Sequence, residues 1–497
     1  MNYGLNIDAS VYKSQVLVVG AGGAGLAAAV AAAEKGADVI LIEKRHCPGG
    51  NTALAGGMFS AKPHGPQPND IDLTEDELFL LGMDFAHWTI NPRLMRAFLK
   101  KSVGTLDWLE SYGMKISQTF EDVRTRRKVF NMYIPPVQYV VNNGGSGLIL
   151  GLYNVFTRKY NGRMFCNARA RDLIVNEDGT LGGVIAEHDG KDVRFEAKSV
   201  IIATGGFGGS VELMKKYCRY YDERMYHKGI TANVGDGLLM GLNAGAGTAN
   251  LGSLMVEAGW TENGRNEMWY FTAIRNQPIW LNKRGERFVN EASYRTRGQG
   301  WLPVSWQPDC VHYNVFDQRI LEEIVNGYDS PHFKAFGRHG NPPKPVSLEE
   351  AEALLKESAE QGNTLITDSI DEIAAFMGAP VEKVRAQIEE YNHGCDIGQD
   401  IMAKDPKYLI PIRKPPYYAI RCIPRYLVSM GGLNIDEHMQ VMDPENNLLM
   451  EGLYAVGDTA GGFECECYNA NLYGMFVGFA VNSGRIAGEN AAAVAMK

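Results

Sequence analysis

Residues 16–43 read VLVVGAGGAGLAAAVAAAEKGADVILIE, and the reading of this stretch decides the fold. Val16 to Val19 is a short apolar run, long enough for one buried parallel strand. Gly20, Gly22 and Gly25 follow in the spacing G-x-G-x-x-G, with Gly23 and Ala24 between them. The alanine-rich run to Lys35 has the composition of a helix, and Gly36 suits its C-terminal cap. A second strand, Val39 to Ile42, leads into Glu43 and Lys44, with the acid 18 residues beyond Gly25. Each part has a physical task. Glycines permit a tight turn and close backbone approach, the helix N-terminus faces a pyrophosphate, and the acid meets a ribose hydroxyl. The spacing therefore predicts a βαβ dinucleotide-binding unit rather than a Gly/Ala-rich helix that merely packs closely.

At 497 residues the chain can hold two or more domains. Its 56 glycines cluster in short loops rather than repeats, which suits backbone brought repeatedly against a ligand. The net charge of −9 and the lack of a basic tract argue against nucleic acid as a partner. The apolar run from Val16 to Ala33 flows straight into the nucleotide motif, so we expect no integral membrane segment, no secretory signal and a cytoplasmic address. Eight cysteines in a chain this long make no disulfide framework and show no metal-ligand spacing. Cys465 and Cys467 read as two small buried residues, and no metal site is expected.

Further along, PGGNTALAGGMFSA (48–61) supplies Gly50, Asn51, Thr52, Gly56 and Gly57, a loop suited to lying against a planar ring. Residues 74–116 predict two amphipathic helices, with Thr74 as N-cap and Leu106 and Leu109 sharing a buried face. Arg124, Arg126, Arg127 and Lys128 read as a solvated loop. From Ala168 the pattern changes to short strands, with hairpin signals at Asp178-Gly179 and Asp189-Gly190. Val200 to Ala203 is another buried strand ending in Thr204-Gly205-Gly206. TANVGDG (231–237) then carries Asp236, and GLYAVGDTAGG (452–462) carries Gly457 and Asp458. Residues 370–393 predict two helical arms broken at Pro380, and Ser483 to Ala493 predicts a terminal helix.

These motifs, in this order, resemble the flavoprotein family of fumarate reductase and succinate dehydrogenase, which also includes 3-ketosteroid dehydrogenases. The resemblance covers roughly residues 14–494. It implies an α/β fold: a Rossmann-like FAD-binding domain with a β-meander, plus an inserted α+β capping domain. The implied division is residues 1–249 for the first part of the FAD domain, 250–375 for the cap and 376–497 for the return, with a helical linker at 370–395. The cofactor implied is FAD, with Ala170, Ala203, Asn471 and Leu472 joining the glycines, Glu43, Lys44 and the loop residues around it. Members with tethered flavin carry histidine where Asn51 stands, so non-covalent FAD is expected.

LNKRGERFVNEASYR (281–295) is close to the family's capping-domain motif, whose final arginine serves as the proton donor. The resemblance places that role on Arg295 and a second, proton-path arginine near Arg275. An arginine is a poor acid by its reference pKa, so the role needs a desolvated site. The dicarboxylate clamps differ. Leu427-Val428 replaces a histidine pair, Val256-Glu257-Ala258-Gly259 replaces an H-P-T segment, and Asn469 to Gly474 lacks the family's arginine. Unpaired carboxylates in such a pocket would be strongly disfavoured. The expected substrate is thus bulky, aromatic or polycyclic, and not a dicarboxylate. Tyr270, Tyr294, Tyr426, Tyr468 and Tyr473 are candidate proton donors by position, Tyr468 and Tyr473 foremost, and Glu257 is an acid of unassigned role. Expected partners are a small-molecule substrate and an external electron donor or acceptor. Alternative readings are a 3-ketosteroid-type dehydrogenase, an electron-transfer subunit, and a disulfide reductase using Cys465 and Cys467. A capping domain argues against a pure carrier.

Overall fold

A computed structural model describes residues 10–61, 74–118, 127–129, 132–134, 138–262, 277–292, 302–326, 347–464, 466, 468–469, 472 and 474–497. The opening motif folds as β1 (Ser10–Val19), α1 (Gly23–Glu34) and β2 (Val39–Ile42), with Val16 opposite Val39 and Val19 opposite Ile42 in a parallel pair. Helix α1 has no polar face through most of its length, since Gly23 to Ala32 are all buried. Gly36 follows its C-cap at φ +91°, the conformation glycine adopts without strain. The apolar run is therefore a strand and a helix. Among the described residues no helix is long and apolar enough to cross a membrane.

Three helices, not two, follow: α2 (Glu75–Phe85), α3 (Pro92–Ser102) and α4 (Thr105–Ser111). The Thr74 capping box forms as expected, Thr74 N donating to Glu77 Oε2 at 2.8 Å. The extra break arises because His87 and Trp88 take positive φ. Asn91 then caps a fresh start at Pro92, and Gly104 separates α3 from α4. Arg127–Val129 is a short strand rather than loop, whereas Arg124 and Arg126 lie outside the described residues.

The strands β3 (Arg163–Phe165), β4 (Ala168–Val175), β5 (Leu181–His188) and β6 (Lys191–Ile202) come next, with both Asp-Gly pairs at hairpin turns. Strand β7 (Tyr226–His227), α5 (Asp236–Asn243) and β8 (Thr248–Trp260) lead to β9 (Ile279–Asn282), β10 (His312–Asp317) and β11 (Thr364–Thr367). Helices α6 (Ile370–Met377) and α7 (Val381–Ile397) flank Pro380, followed by β12 (Tyr417–Leu433), β13 (Leu453–Ala455) and α8 (Met475–Ala495). The largest sheet has the order β3-β2-β1-β6-β5-β4, with β13 also on β6; the next largest has the order β7-β12-β10-β9, with β8 and β11 also on β12. The long strand β12 ties the two regions together. Its first residues pair with β10 and β11, and its later ones with β8 and β7.

The terminal helix begins at Met475, eight residues before the start expected from sequence. Met475 to Gly484 is buried apart from Phe476, so this part of the helix shows no amphipathic period to read. Gly484 and Gly488 let it lie directly on α1, where an added Cβ would run into Ala24 O and Ala28 O.

A second core, from Ile279 to Ile423, gathers β9 to β11, the start of β12, and helices α6 and α7. Beside it Arg287 forms two 2.8 Å bonds to Glu291 and also pairs with Asp400. Lys404 sits 3.2 Å from Glu291, and Trp280 N donates to Glu291 at 3.0 Å. Glu291 and Lys404 have no exposed side-chain surface. Burial alone would raise the Glu291 carboxyl, but the Lys404 and Arg287 charges outweigh it and hold the group low.

His312, fully buried against Trp280 and Phe288, has no partner for either ring nitrogen among the described residues, and burial pushes its imidazole down to about 3. Folded His312 thus stays neutral where the unfolded chain would take up a proton. Stability is retained above about pH 6.5 and is lost as pH falls from there towards 3, at up to about 1.4 kcal/mol per pH unit. Urea unfolding at pH 7 and pH 5 should show a smaller difference for His312→Phe than for the unaltered protein; an equal difference would remove His312 as the cause.

Candidate active site

One cavity runs from the β1–α1 turn to the strands of the second sheet. At the first end it is lined by Gly20, Gly22, Gly23, Ala24, Glu43 and Lys44, with Ala168 and Ala170 from β4. Glu43 accepts Ala21 N at 2.7 Å and Arg45 N at 2.8 Å, which fixes its carboxylate at the tip of β2. Lys44 donates to Ala232 O and lies 2.6 Å from Asp236, and Arg169 reaches the same carboxylate at 2.8 Å. Asp236 therefore lines the cavity with its charge already matched by two cations.

The glycines divide by task. A Cβ built on Gly22 meets no protein atom nearer than Gly49 O at 4.0 Å, so the space beside it is left for a ligand. A Cβ on Gly25 would strike Gly20 O. Gly25 is not among the residues lining the cavity, and it allows the helix to pack on the turn.

The middle of the cavity is formed by Gly50, Asn51, Thr52, Gly56 and Gly57 facing Ala203, Thr204 and Gly205 at the end of β6. Thr52 Oγ1 accepts Gly23 N at 3.3 Å, and Asn51 Oδ1 accepts Ile230 N at 2.8 Å. Thr204 Oγ1 accepts Gly237 N at 3.1 Å, and Thr459 donates to Gly205 O at 3.2 Å. These bonds tie four loops, 50–57, 204–205, 230–237 and 457–459, into one wall. Gly457, at φ +59°, turns the chain after β13 and presents Asp458 to the cavity. Burial pushes the Asp458 carboxyl up to about 6.

The remaining wall comes from Met255 and Glu257 on β8, Leu427 and Val428 on β12, Tyr468, and Gly474, Phe476, Val477 and Ala480 at the start of α8. The Tyr468 ring stacks on Phe476 at 5.2 Å, and its hydroxyl accepts Gly474 N at 2.8 Å, bracing the helix N-terminus. Glu257 pairs with Arg425 at 2.5 Å and lies 3.6 Å from Lys228. Tyr426 points away from the cavity, donating to Gly208 O at 2.9 Å.

Leu472 is fully buried beside Gly82 and is not among the residues lining the cavity. Arg295, Arg275, Tyr473, Asn471, Tyr270, Tyr294, Cys465 and Cys467 lie outside the described residues. Sequence reading missed Met255, Phe476, Ile230 and Asn233 as lining residues, and it missed Lys228 and Arg425 behind Glu257. The last two carried a signal only through strand pairing, since Glu257 stands opposite Arg425 in register and Lys228 N bonds to Tyr426 O. Among the described residues no group of side chains could hold a metal ion.

Residues 15–466 match the family model described as FAD binding domain. The chain belongs to this FAD binding domain family. Its cavity fits the cofactor: open space at Gly22, an anchored acid at the tip of β2, and four loops joined along the middle. A vinyl phenol reductase of Lactiplantibacillus plantarum is 27% identical over 488 residues, covering 96% of each chain. A urocanate reductase of Eggerthella lenta is 29% identical over 492 residues, covering 97% of this chain and 75% of that one. A flavocytochrome c3 fumarate reductase in its open conformation shares the fold, with a TM-score of 0.70 and 24% identity over 98% of this chain and 79% of that one. As a member of the FAD binding domain family the protein is an FAD-dependent oxidoreductase, similar to reductases of the fumarate reductase-like group.

Proposed function

We propose that the protein reduces an activated carbon–carbon double bond in a bulky aromatic substrate that is not a dicarboxylate. One observation carries this reading. Between β8, β12 and the start of α8, the described cavity wall is apolar and aromatic, and its one charged group is the carboxylate of Glu257. Nothing on that wall would pair with two substrate carboxylates, and leaving them unpaired in a desolvated site is strongly unfavourable. A flat ring fits Met255, Leu427, Val428 and Phe476 without such a penalty. The full-length match to a vinyl phenol reductase supports the same substrate class.

FAD, when bound, supplies the two-electron redox chemistry. The chain's own residues have three tasks. The loop from Gly50 to Gly57 and the start of α8 hold the alkene in one plane, and the apolar wall excludes water. An acid delivers the one proton needed, to the alkene carbon that does not receive the hydride equivalent. We assign this to Arg295, which follows Glu291 by four residues and so leaves a segment anchored by the Arg287–Glu291–Lys404 cluster. Tyr468 lines the cavity and accepts a hydrogen bond from Gly474 N, which does not engage its own proton, so it is the competing donor.

Single-turnover reoxidation of the reduced enzyme tests the assignment. Arg295→Ala should keep FAD and be reduced by dithionite, yet lose on the order of 10² or more in the reoxidation rate, the scale for a missing general acid. Lysine should rescue poorly, lacking the planar fork. Tyr468→Phe should be mild. The reverse ranking would give the proton to the tyrosine.

A further inference from the structure

The Glu257 cluster is built from three adjacent strands. Glu257 on β8 faces Arg425 on β12 across the ladder, and Lys228 follows β7, which pairs with β12 on its other side. Arg425 is 2% exposed and lies 4.9 Å over the Trp260 ring, which Tyr226 covers by stacking at 4.9 Å. Neither Arg425 nor Lys228 lines the cavity, whereas Glu257 does. The two cations therefore stand behind the carboxylate, and the group shown to a ligand is an acceptor.

Met255 and Glu257, two residues apart on β8, both line the cavity, and so do Leu427 and Val428 on β12, where the register against β8 shifts. An apolar ligand lying along Met255 and Leu427 thus ends at the Glu257 carboxylate. We propose that Glu257 is a specificity-determining residue, accepting a hydrogen bond from a neutral donor, such as a phenolic hydroxyl, on the end of the substrate away from its double bond. This rests on the ene-reductase reading and narrows it to substrates with a donor at that end. A carboxylate there would meet a fixed like charge and be rejected, and a hydrocarbon end would leave the acceptor desolvated and unmatched. Arg425 and Lys228 act through Glu257, holding it in one orientation.

The test uses non-reducible ligands on the oxidised holoenzyme, read by perturbation of the flavin absorption. The unaltered protein should bind 4-ethylphenol at least about tenfold more tightly than ethylbenzene, with 4-ethylbenzoate weakest of the three. Glu257→Gln should keep its FAD and its reduction by dithionite, while the phenol's advantage falls to within about threefold. Equal binding of 4-ethylphenol and ethylbenzene, or tightest binding of 4-ethylbenzoate, would overturn the proposal. So would an unchanged ranking in Glu257→Gln, which would mark the residue as a structural ion-pair partner. Should Glu257→Gln fail to fold, the ranking in the unaltered protein decides alone. Because none of these ligands is turned over, failure of the reduction chemistry and failure of this inference are read separately.

Discussion

Gly22→Val should yield a folded, colourless protein. A Cβ built on Gly22 comes no nearer to the chain than Gly49 O at 4.0 Å, so a side chain can begin there without striking the backbone. Its φ of −78° lies in ordinary backbone territory, and a valine there suffers no conformational strain. The methyls would instead occupy the path by which a pyrophosphate approaches the α1 N-terminus. Loss of FAD should exceed a hundredfold in affinity, with circular dichroism close to that of the unaltered protein. Gly25→Ala offers the contrast. Its Cβ would strike Gly20 O, so that variant should lose the fold together with the cofactor. The flavin absorbance of each soluble variant checks both, and Gly22→Val retaining FAD at full occupancy would contradict the assigned turn.

The second large effect concerns the buried charges of the second region. Glu291→Gln leaves Lys404 and Arg287 with Asp400 as their remaining carboxylate, in a site where neither Glu291 nor Lys404 has exposed surface. Removing one partner from such a cluster costs about 3–5 kcal/mol, because an uncompensated buried charge remains. Urea denaturation at pH 7 measures it, and a loss below about 1 kcal/mol would contradict the arrangement. The sign with pH follows from the low Glu291 carboxyl. Its contribution is present above the ordinary glutamate range and is lost as pH falls through and below it. The double variant Glu291→Gln with Lys404→Met should recover part of the loss, since it removes the stranded ammonium.

How much could be read beforehand depends on how local each feature is in the chain. The β1–α1–β2 unit was legible because strand, turn, helix and acid fall within 28 residues, each with its own chemistry. The hairpins at Asp178-Gly179 and Asp189-Gly190 were legible for the same reason. The start of α8 was not, because a helix buried on nearly all sides carries no polar stripe to mark its length. The break between α2 and α3 was hidden as well, since His87 and Trp88 are not residue types that announce a positive φ. The Glu257–Arg425 pair spans 168 residues and exists only through strand register, which no local pattern reveals. Reading Leu427 and Val428 at this wall attended only to two residues that line the cavity. It overlooked that β12 brings a cation two residues earlier, turned towards Glu257.

The central claim is an FAD enzyme that saturates an aromatic alkene and refuses dicarboxylates. The most direct measurement is anaerobic reoxidation of the reduced holoenzyme, followed at the flavin absorbance, with a vinyl phenol and with fumarate at equal sub-millimolar concentrations. The expected result is reoxidation by the vinyl phenol at least about 10²-fold faster than by fumarate, the scale set by leaving two carboxylates unpaired. Fumarate reoxidising the enzyme as fast as the vinyl phenol, or faster, would contradict the account.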